Sequence, residues 1–303
     1  MSARERIMKS GDSLPVRLAL SNTQKSALRG LGLDSDLMTK REIVAQLSTT
    51  KSGRVRELLG SSSKTDLGIG HGYNTRSLYM SPWSEAGVQS CPFSSEGCRS
   101  SCLISSGRMV IDQARNSRMR KRLFHEVGAD LFWDLLYGEL KRHELESMIK
   151  GLQPVVRLNG TTDLNPRAMV HFGDHKRIQF MDYTKRPVRS ADVYGLLDVP
   201  NYHLTFSLDE RKVSRMRADQ WLERGHGVAV VVGHAGNDSS KGAKKIARAI
   251  VERGELWGLP VVDGDAHDLR FLDPAGPHYV ILSAKGKALR DRSGFVHRFY
   301  GGE

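Results

Sequence analysis

The 303-residue sequence predicts an α/β fold. It should be a β/α barrel or partial barrel, with parallel strands inside, helices outside and a mainly helical or irregular N-terminal extension. Three observations carry this expectation. Continuous apolar runs such as GVAVVVG (227–233) and HYVIL (278–282) have the character of strands buried on both faces, as in parallel sheets. They alternate with amphipathic helical segments, the pattern of crossover units. Gly151, Gly225 and Gly254 stand just past three of those segments, where glycine ends a helix. A doubly wound open sheet is the competing architecture, but no glycine-rich dinucleotide fingerprint follows any strand.

Residues 1–70 form a basic extension rich in Ser, Thr, Lys and Arg, with helical pieces at 20–32 and 40–47. The stretch 49–66 reads as a helix followed by a flexible joint. Residues 71–303 form the barrel-like domain. Its first strand is RSLYMSP (76–82), and a three-cysteine loop comes directly after it. A long helical region spans 108–149, with Leu123, Val127, Leu131, Leu135, Leu145 and Ile149 at helical spacing. Strands then fall at 154–160, 177–185 and 201–210, a helix at 212–225, a strand at 227–233, a helix at 241–254, and strands at 259–265 and 278–285.

Forty-six Lys and Arg against 34 Asp and Glu leave a formal charge of +12, and a basic chain attracts phosphate. The densest basic cluster, ARNSRMRKR (114–122), and the N-terminal extension are the expected contacts for nucleic acid or nucleotide. The apolar fraction of 39% and charged fraction of 26% are those of a folded globular chain. No apolar run reaches the roughly 18 residues of a membrane span, and the N-terminus lacks the features of a secretory leader. The cytoplasm is the expected location.

The sequence is most regular at the carboxyl end of each strand. PVVRL runs into Asn159-Gly160-Thr161-Thr162-Asp163, IQFM into Asp182-Tyr183-Thr184-Lys185, and HLTF into Ser207-Leu208-Asp209-Glu210. VAVVV runs into Gly233-His234, PVV into Asp263-Gly264-Asp265-Ala266-His267-Asp268, and YVIL into Ser283-Ala284-Lys285. In parallel β/α architectures these carboxyl ends converge on the face that carries active sites. Asp182, Lys185, Asp263, Asp265 and His267 are therefore candidate catalytic residues. The DGDAHD block (263–268) offers three carboxylates and an imidazole. It has the ligands for a divalent metal or ribose hydroxyls, and equally the makings of a hydrogen-bonded turn.

Cys91, Cys98 and Cys102 are the chain's only cysteines, and an odd number this tightly spaced makes a poor disulfide framework. They suit a metal centre instead. Zinc needs a fourth ligand, for which His71, Glu96 or a distant His is available. A [4Fe–4S] cluster would keep one iron open.

A three-cysteine loop directly after the first strand of a β/α barrel resembles the radical S-adenosylmethionine (SAM) superfamily, although the spacing here is six then three residues. The resemblance covers roughly 77–290. It implies that Cys91, Cys98 and Cys102 hold a [4Fe–4S] cluster whose open iron binds SAM. It also implies that Asn159, Gly160, Thr161, Asp163, Ser207 and Asp209 form the cofactor-binding set. Asp182, Lys185, Asp263, Asp265 and His267 would face the substrate.

The chain is similar, more closely, to a family of phage-encoded proteins of unknown function. That similarity rests on C-P-x-x-x-x-G-C-x-x-x-C, V-V-R-L-N-G-T-x-D, D-Y-T-K, H-L-T-F-S and D-G-D-x-H-D-L-R-F-L-D, between residues 91 and 273. A phage protein would work in the host cytoplasm. Three functions fit these features: a radical SAM-like iron–sulfur enzyme, a zinc-stapled nucleic-acid-binding protein without activity, and a metal-dependent hydrolase built on DGDAHD.

Overall fold

The apolar runs assemble into one ten-stranded, mostly parallel sheet in the computed structural model, which describes residues 20–190, 193 and 195–300. The first nineteen residues of the expected extension lie outside the described residues. The strands are β1 (Leu59–Gly60), β2 (Tyr73–Leu78), β3 (Gln153–Arg157), β4 (Gln179–Thr184) and β5 (Tyr202–Ser207). They continue with β6 (Gly227–His234), β7 (Glu255–Leu256), β8 (Leu259–Asp263), β9 (His278–Ser283) and β10 (His297–Phe299). Their order is β1-β2-β3-β4-β5-β6-β9-β8-β7, and β10 pairs with β6.

The sheet is not closed, so the expected barrel does not form. From β2 to β6 each strand adds in parallel beside its predecessor, as barrel strands do. The chain then departs from that course: β9 returns between β6 and β8. The edges end in two-residue antiparallel strands, β1 on β2 and β7 on β8. Such short edge strands offer little to further pairing.

Strand residues alternate between the two faces. Val156, Phe180, Phe206, Val228 and Val230 enter the main core, whereas Val155 and Met181 belong to a separate cluster. Helices α6 (Ala129–Ile149), α7 (Lys212–Leu222) and α8 (Ser240–Arg253) pack on β3, on β5 and β6, and on β6, β8 and β9 respectively. Helix α8 shows why: Ala243, Ile246, Ala247 and Ile250 form its buried stripe, Ser239 caps its start and Gly254 ends it at φ 82°. Across the sheet, the segment after β8 turns inward. Leu269 packs on Val155 and Met181, and the Phe271 ring meets Tyr73 at 5.1 Å.

The helical region expected over 108–149 is two helices, α5 (Asp112–Val127) and α6, separated at Gly128. A side chain there would come within 3.1 Å of both Phe124 and Val44, so glycine lets the chain bend where these two pack. Helices α1 (Asn22–Gly30) and α2 (Lys40–Ser48) begin with capping boxes, Ser21 with Gln24 and Thr39 with Glu42. Their Leu28, Ile43 and Val44 share one core with Leu123 and Phe132.

The helix expected to open 49–66 is instead a Thr49–Val55 bridge, β1 and the short α3 (Ser63–Asp66). The Leu58 and Leu59 N–H groups donate to the Glu139 carboxylate, which holds this segment extended. Among the described residues no helix is long and apolar enough to cross a membrane.

Candidate functional site

The carboxyl ends of β2 to β6, β8 and β9 meet a cavity of about 520 Å³. Its walls include Tyr79, Arg157, Tyr183, Val231 and Leu282, together with Phe295 from the segment leading into β10. Cys91, Cys98 and Cys102 line it, free of disulfides, on the loop that follows β2 and contains α4 (Glu96–Ser100). Burial pushes the Cys91 thiol up to about 12 and Cys102 up to about 11. Burial also raises Cys98, against the pull of the Lys185 ammonium. The three thiols disfavour one another's ionisation, which places them in electrostatic reach. Among the described residues, however, no three His, Cys, Asp or Glu side chains are gathered closely enough to hold one metal ion. The expected convergence of the sulfurs on a single point is therefore corrected to a shared cavity wall.

Several neighbours fix the cysteine loop. Glu210 accepts from Ser95 Oγ at 2.7 Å and from the Gly97 N–H at 3.0 Å. A side chain at Gly97 would run into Ser293 and Glu210, so this close clamp requires glycine. Arg211 bridges Asp209, at 2.7 Å, and the Phe93 carbonyl. The Trp83 N–H points at Cys91 Sγ at 3.3 Å, from a residue whose φ of +34° is uncommon for a bulky side chain. Glu210, Arg211, Trp83 and Phe295 were not singled out from the sequence. The first two directly follow Asp209 on the same strand-end loop, which was the available signal.

The strand-end residues divide into two groups. Asn159, Gly160, Thr161, Asp163, Lys185, Ser207, Asp265 and Lys285 all line the cavity. Asn159 Oδ1 accepts from Thr162 Oγ1 and the Leu164 N–H, and Thr161 Oγ1 donates to the Met80 carbonyl at 2.6 Å. A side chain at Gly160 would lie 2.7 Å from the Tyr79 ring, so glycine admits that aromatic wall. The Asp163 carboxylate accepts from Thr184 Oγ1 and the Lys185 N–H, and the Asp163 N–H donates to the Ser90 carbonyl beside Cys91. Lys185 Nζ donates to Ser207 O and Oγ, at 2.9 and 3.1 Å. Asp209 stays behind this wall in its pair with Arg211.

Asp182, Asp263 and His267 do not line the cavity. Asp182 alternates to the helix-facing side of β4, where it accepts from the Asn159 N–H and Tyr202 Oη, and burial pushes it up to about 7. Asp263 is exposed and accepts from the Asp265 N–H. His267 Nδ1 faces the Leu269 N–H and Arg270.

The DGDAHD carboxylates therefore do not converge. Asp265 is held by Ser283 and Lys285, the latter at 2.6 Å. Asp268 pairs with Lys64 at 2.7 Å and Arg157 at 2.9 Å. Burial alone would raise Asp268, but these two cations hold it at about 2. The metal-hydrolase expectation fails here because protein cations already occupy two of the three carboxylates.

The basic run 114–122 is also turned largely inward. Arg118 and Arg122 are buried; Arg118 donates to the Met109 carbonyl, and Arg122 to Ser90 Oγ and Glu126. These cations brace the cysteine loop and so are withdrawn from the expected nucleic-acid contact.

Comparison with curated proteins and with solved structures finds no match. The motifs noted between residues 91 and 273 do fall inside a family match: the gene product 88 model, that of a phage-type family of unknown function, covers residues 49–298, and the chain belongs to that family.

Proposed function

We propose that the cavity is the active site of a radical SAM-like iron–sulfur enzyme. Cys91, Cys98 and Cys102 would hold a [4Fe–4S] cluster, with SAM as co-substrate. One observation carries this reading: the chain's only three thiols, all free, face one cavity at the carboxyl ends of parallel strands. No relative contributes to it.

The donor set fits such a cluster. Its three thiolates each bind a separate iron, so the sulfurs need not meet at one point, whereas a single zinc with Zn–S bonds of about 2.3 Å requires that they do. Burial that keeps these thiols protonated is offset once a cation binds the thiolates. When bound, the cluster and SAM supply one-electron chemistry.

The chain's own residues bind and orient. The Asn159–Asp163 loop, locked by its internal hydrogen bonds and tied to Ser90, forms a rigid floor beside the cysteines. Lys185 and Ser207 present polar groups from the next two strands, and Tyr79, Tyr183 and Phe295 exclude water. The substrate side is the wall of Asp265 and Lys285, opposite in the sheet order to the strand that leads into the cysteine loop.

Anaerobic reconstitution of the full chain with iron and sulfide tests this reading, followed by iron and sulfide analysis and electron paramagnetic resonance. The expected result is a cluster signal that disappears in Cys98→Ala. A colourless protein that retains zinc, or undiminished iron in the variant, would overturn the proposal.

A further inference from the structure

A second cavity, of about 540 Å³, opens between α2, the 49–58 turn and α5. It shares no lining residue with the cysteine cavity. Helix α5 separates the two: Arg118 and Arg122 turn toward the cysteine loop, while Ser117, Arg120, Lys121 and Phe124 face this second space. Arg54 and Arg56 enter from the turn, and Glu57 is the one acidic residue in the lining.

Four cations thus meet one carboxylate, and three of the cations are anchored by neutral oxygens. Arg56 Nε donates to the Thr49 carbonyl at 2.7 Å, Lys121 Nζ to the Leu58 carbonyl at 2.6 Å and Arg120 Nη2 to the Leu31 carbonyl at 3.5 Å. A carbonyl fixes a guanidinium in place without cancelling its charge. None of the four cations has a carboxylate within ion-pair distance among the described residues. The cavity acids Glu57 and Glu139 act on Lys121, and Glu139 is already occupied by the Leu58 and Leu59 N–H groups. Arg120 feels burial and then the like charge of Arg56, and both lower its pKa.

Holding two guanidinium groups together without a counter-ion is unfavourable in the empty cavity and favourable once an oxyanion enters. Planar guanidinium forks match tetrahedral oxyanions through paired N–H donors. The volume exceeds what a bare phosphate needs, which leaves room for the group that carries it. We propose that this cavity binds the phosphate of a phosphate-bearing ligand, with Arg56 and Arg120 as its principal donors and Arg54 at the rim. The site is independent of the cluster reading above.

The experiment uses the full chain, with inorganic phosphate followed by calorimetry and fluorescein-labelled single-stranded DNA followed by anisotropy over a salt series. Arg56→Gln/Arg120→Gln should weaken phosphate binding at least tenfold, and the paired Lys substitutions should weaken it less. A parallel fall in DNA affinity, with a salt slope shallower by about two, identifies the nucleic-acid backbone as the source of the phosphate. Unchanged DNA binding beside lost phosphate binding identifies a free phosphate or nucleotide. Melting in phosphate-free buffer checks that the double variant folds. If it does not, the exposed Arg54→Gln is read instead and should weaken phosphate binding by severalfold. Absence of phosphate binding in the unaltered chain, or binding unchanged in the folded variants, overturns the proposal.

Discussion

The cysteine loop and the 263–273 block both carry metal-ligand residue types in sequence, and folding uses them in opposite ways. In the block, Asp265 and Asp268 are occupied by Ser283, Lys285, Lys64 and Arg157, while Arg270 lies 3.5 Å from Asp273. Its charges fasten the segment after β8 to β9, to β3 and to the residues leading into β2. In the loop, the satisfied groups are the supporting ones: Ser95 and Gly97 on Glu210, Ser101 on Asp291, and Ser90 on Arg122. The thiols face the cavity with only weak contacts, such as Cys91 Sγ to the Thr161 carbonyl at 3.9 Å. Ligand chemistry in a sequence becomes available to an incoming group only where the fold has left its lone pairs unused.

The largest effect that bears on this contrast is expected at Asp268. Asp268→Ala leaves Lys64 and the buried Arg157 uncompensated, and should cost about 3–5 kcal/mol in chemical denaturation. A loss below about 1 kcal/mol would mean that the block is not the fastening described. Glu210→Ala comes next, at about 1–3 kcal/mol, because it strips the acceptor from the Gly97 N–H and Ser95. Hydrogen exchange across residues 91–102 should quicken selectively, and unchanged protection there would break the assignment of Glu210 as the clamp.

Asp182 contributes a smaller, pH-dependent effect. Its folded pKa of about 7 lies above the unfolded value of about 3.9, so the folded state holds the proton longer. Its contribution to stability is fully present below the unfolded pKa and declines as pH rises from about 4 to 7. Asp182→Asn should flatten the melting temperature over that window, and an unaltered slope would refute it. The smallest effect is kinetic. With Cys91 near 12 and Cys102 near 11, the metal-free thiols should alkylate at pH 8 at least about tenfold more slowly than a free cysteine. Labelling at the free-thiol rate would erase the distinction between buried and reactive sulfur.

Much of the strand set was legible because buried parallel strands are written as unbroken apolar runs. PVVRL, IQFM, HLTF, VAVVV, PVV and YVIL became β3, β4, β5, β6, β8 and β9. The meeting of Asn159, Ser207 and Lys285 in one cavity was legible for the same reason, since parallel strands deliver their ends to one side. Asp182 was misplaced by a single residue of register: Tyr183 faces the cavity and its neighbour faces the helices. The split at Gly128 was hidden because the apolar spacing continues across it. Only the approach of Val44, far away in sequence, makes glycine necessary.

The sequence by itself determined the mixed α/β class, most strand positions and the clustering of three thiols after the first parallel strand. These are matters of local periodicity and chain distance, which neighbouring residues decide. Only the tertiary structure decided the open sheet with β9 between β6 and β8, the seating of Phe295 in the cavity wall and the turning of Arg118 and Arg122 toward the cysteine loop. It also decided the pairing of Lys64 with Asp268, 204 residues apart (268 − 64). The reason is physical: a charged side chain takes its role from the partner that folding brings to it, and that partner is set by long-range packing.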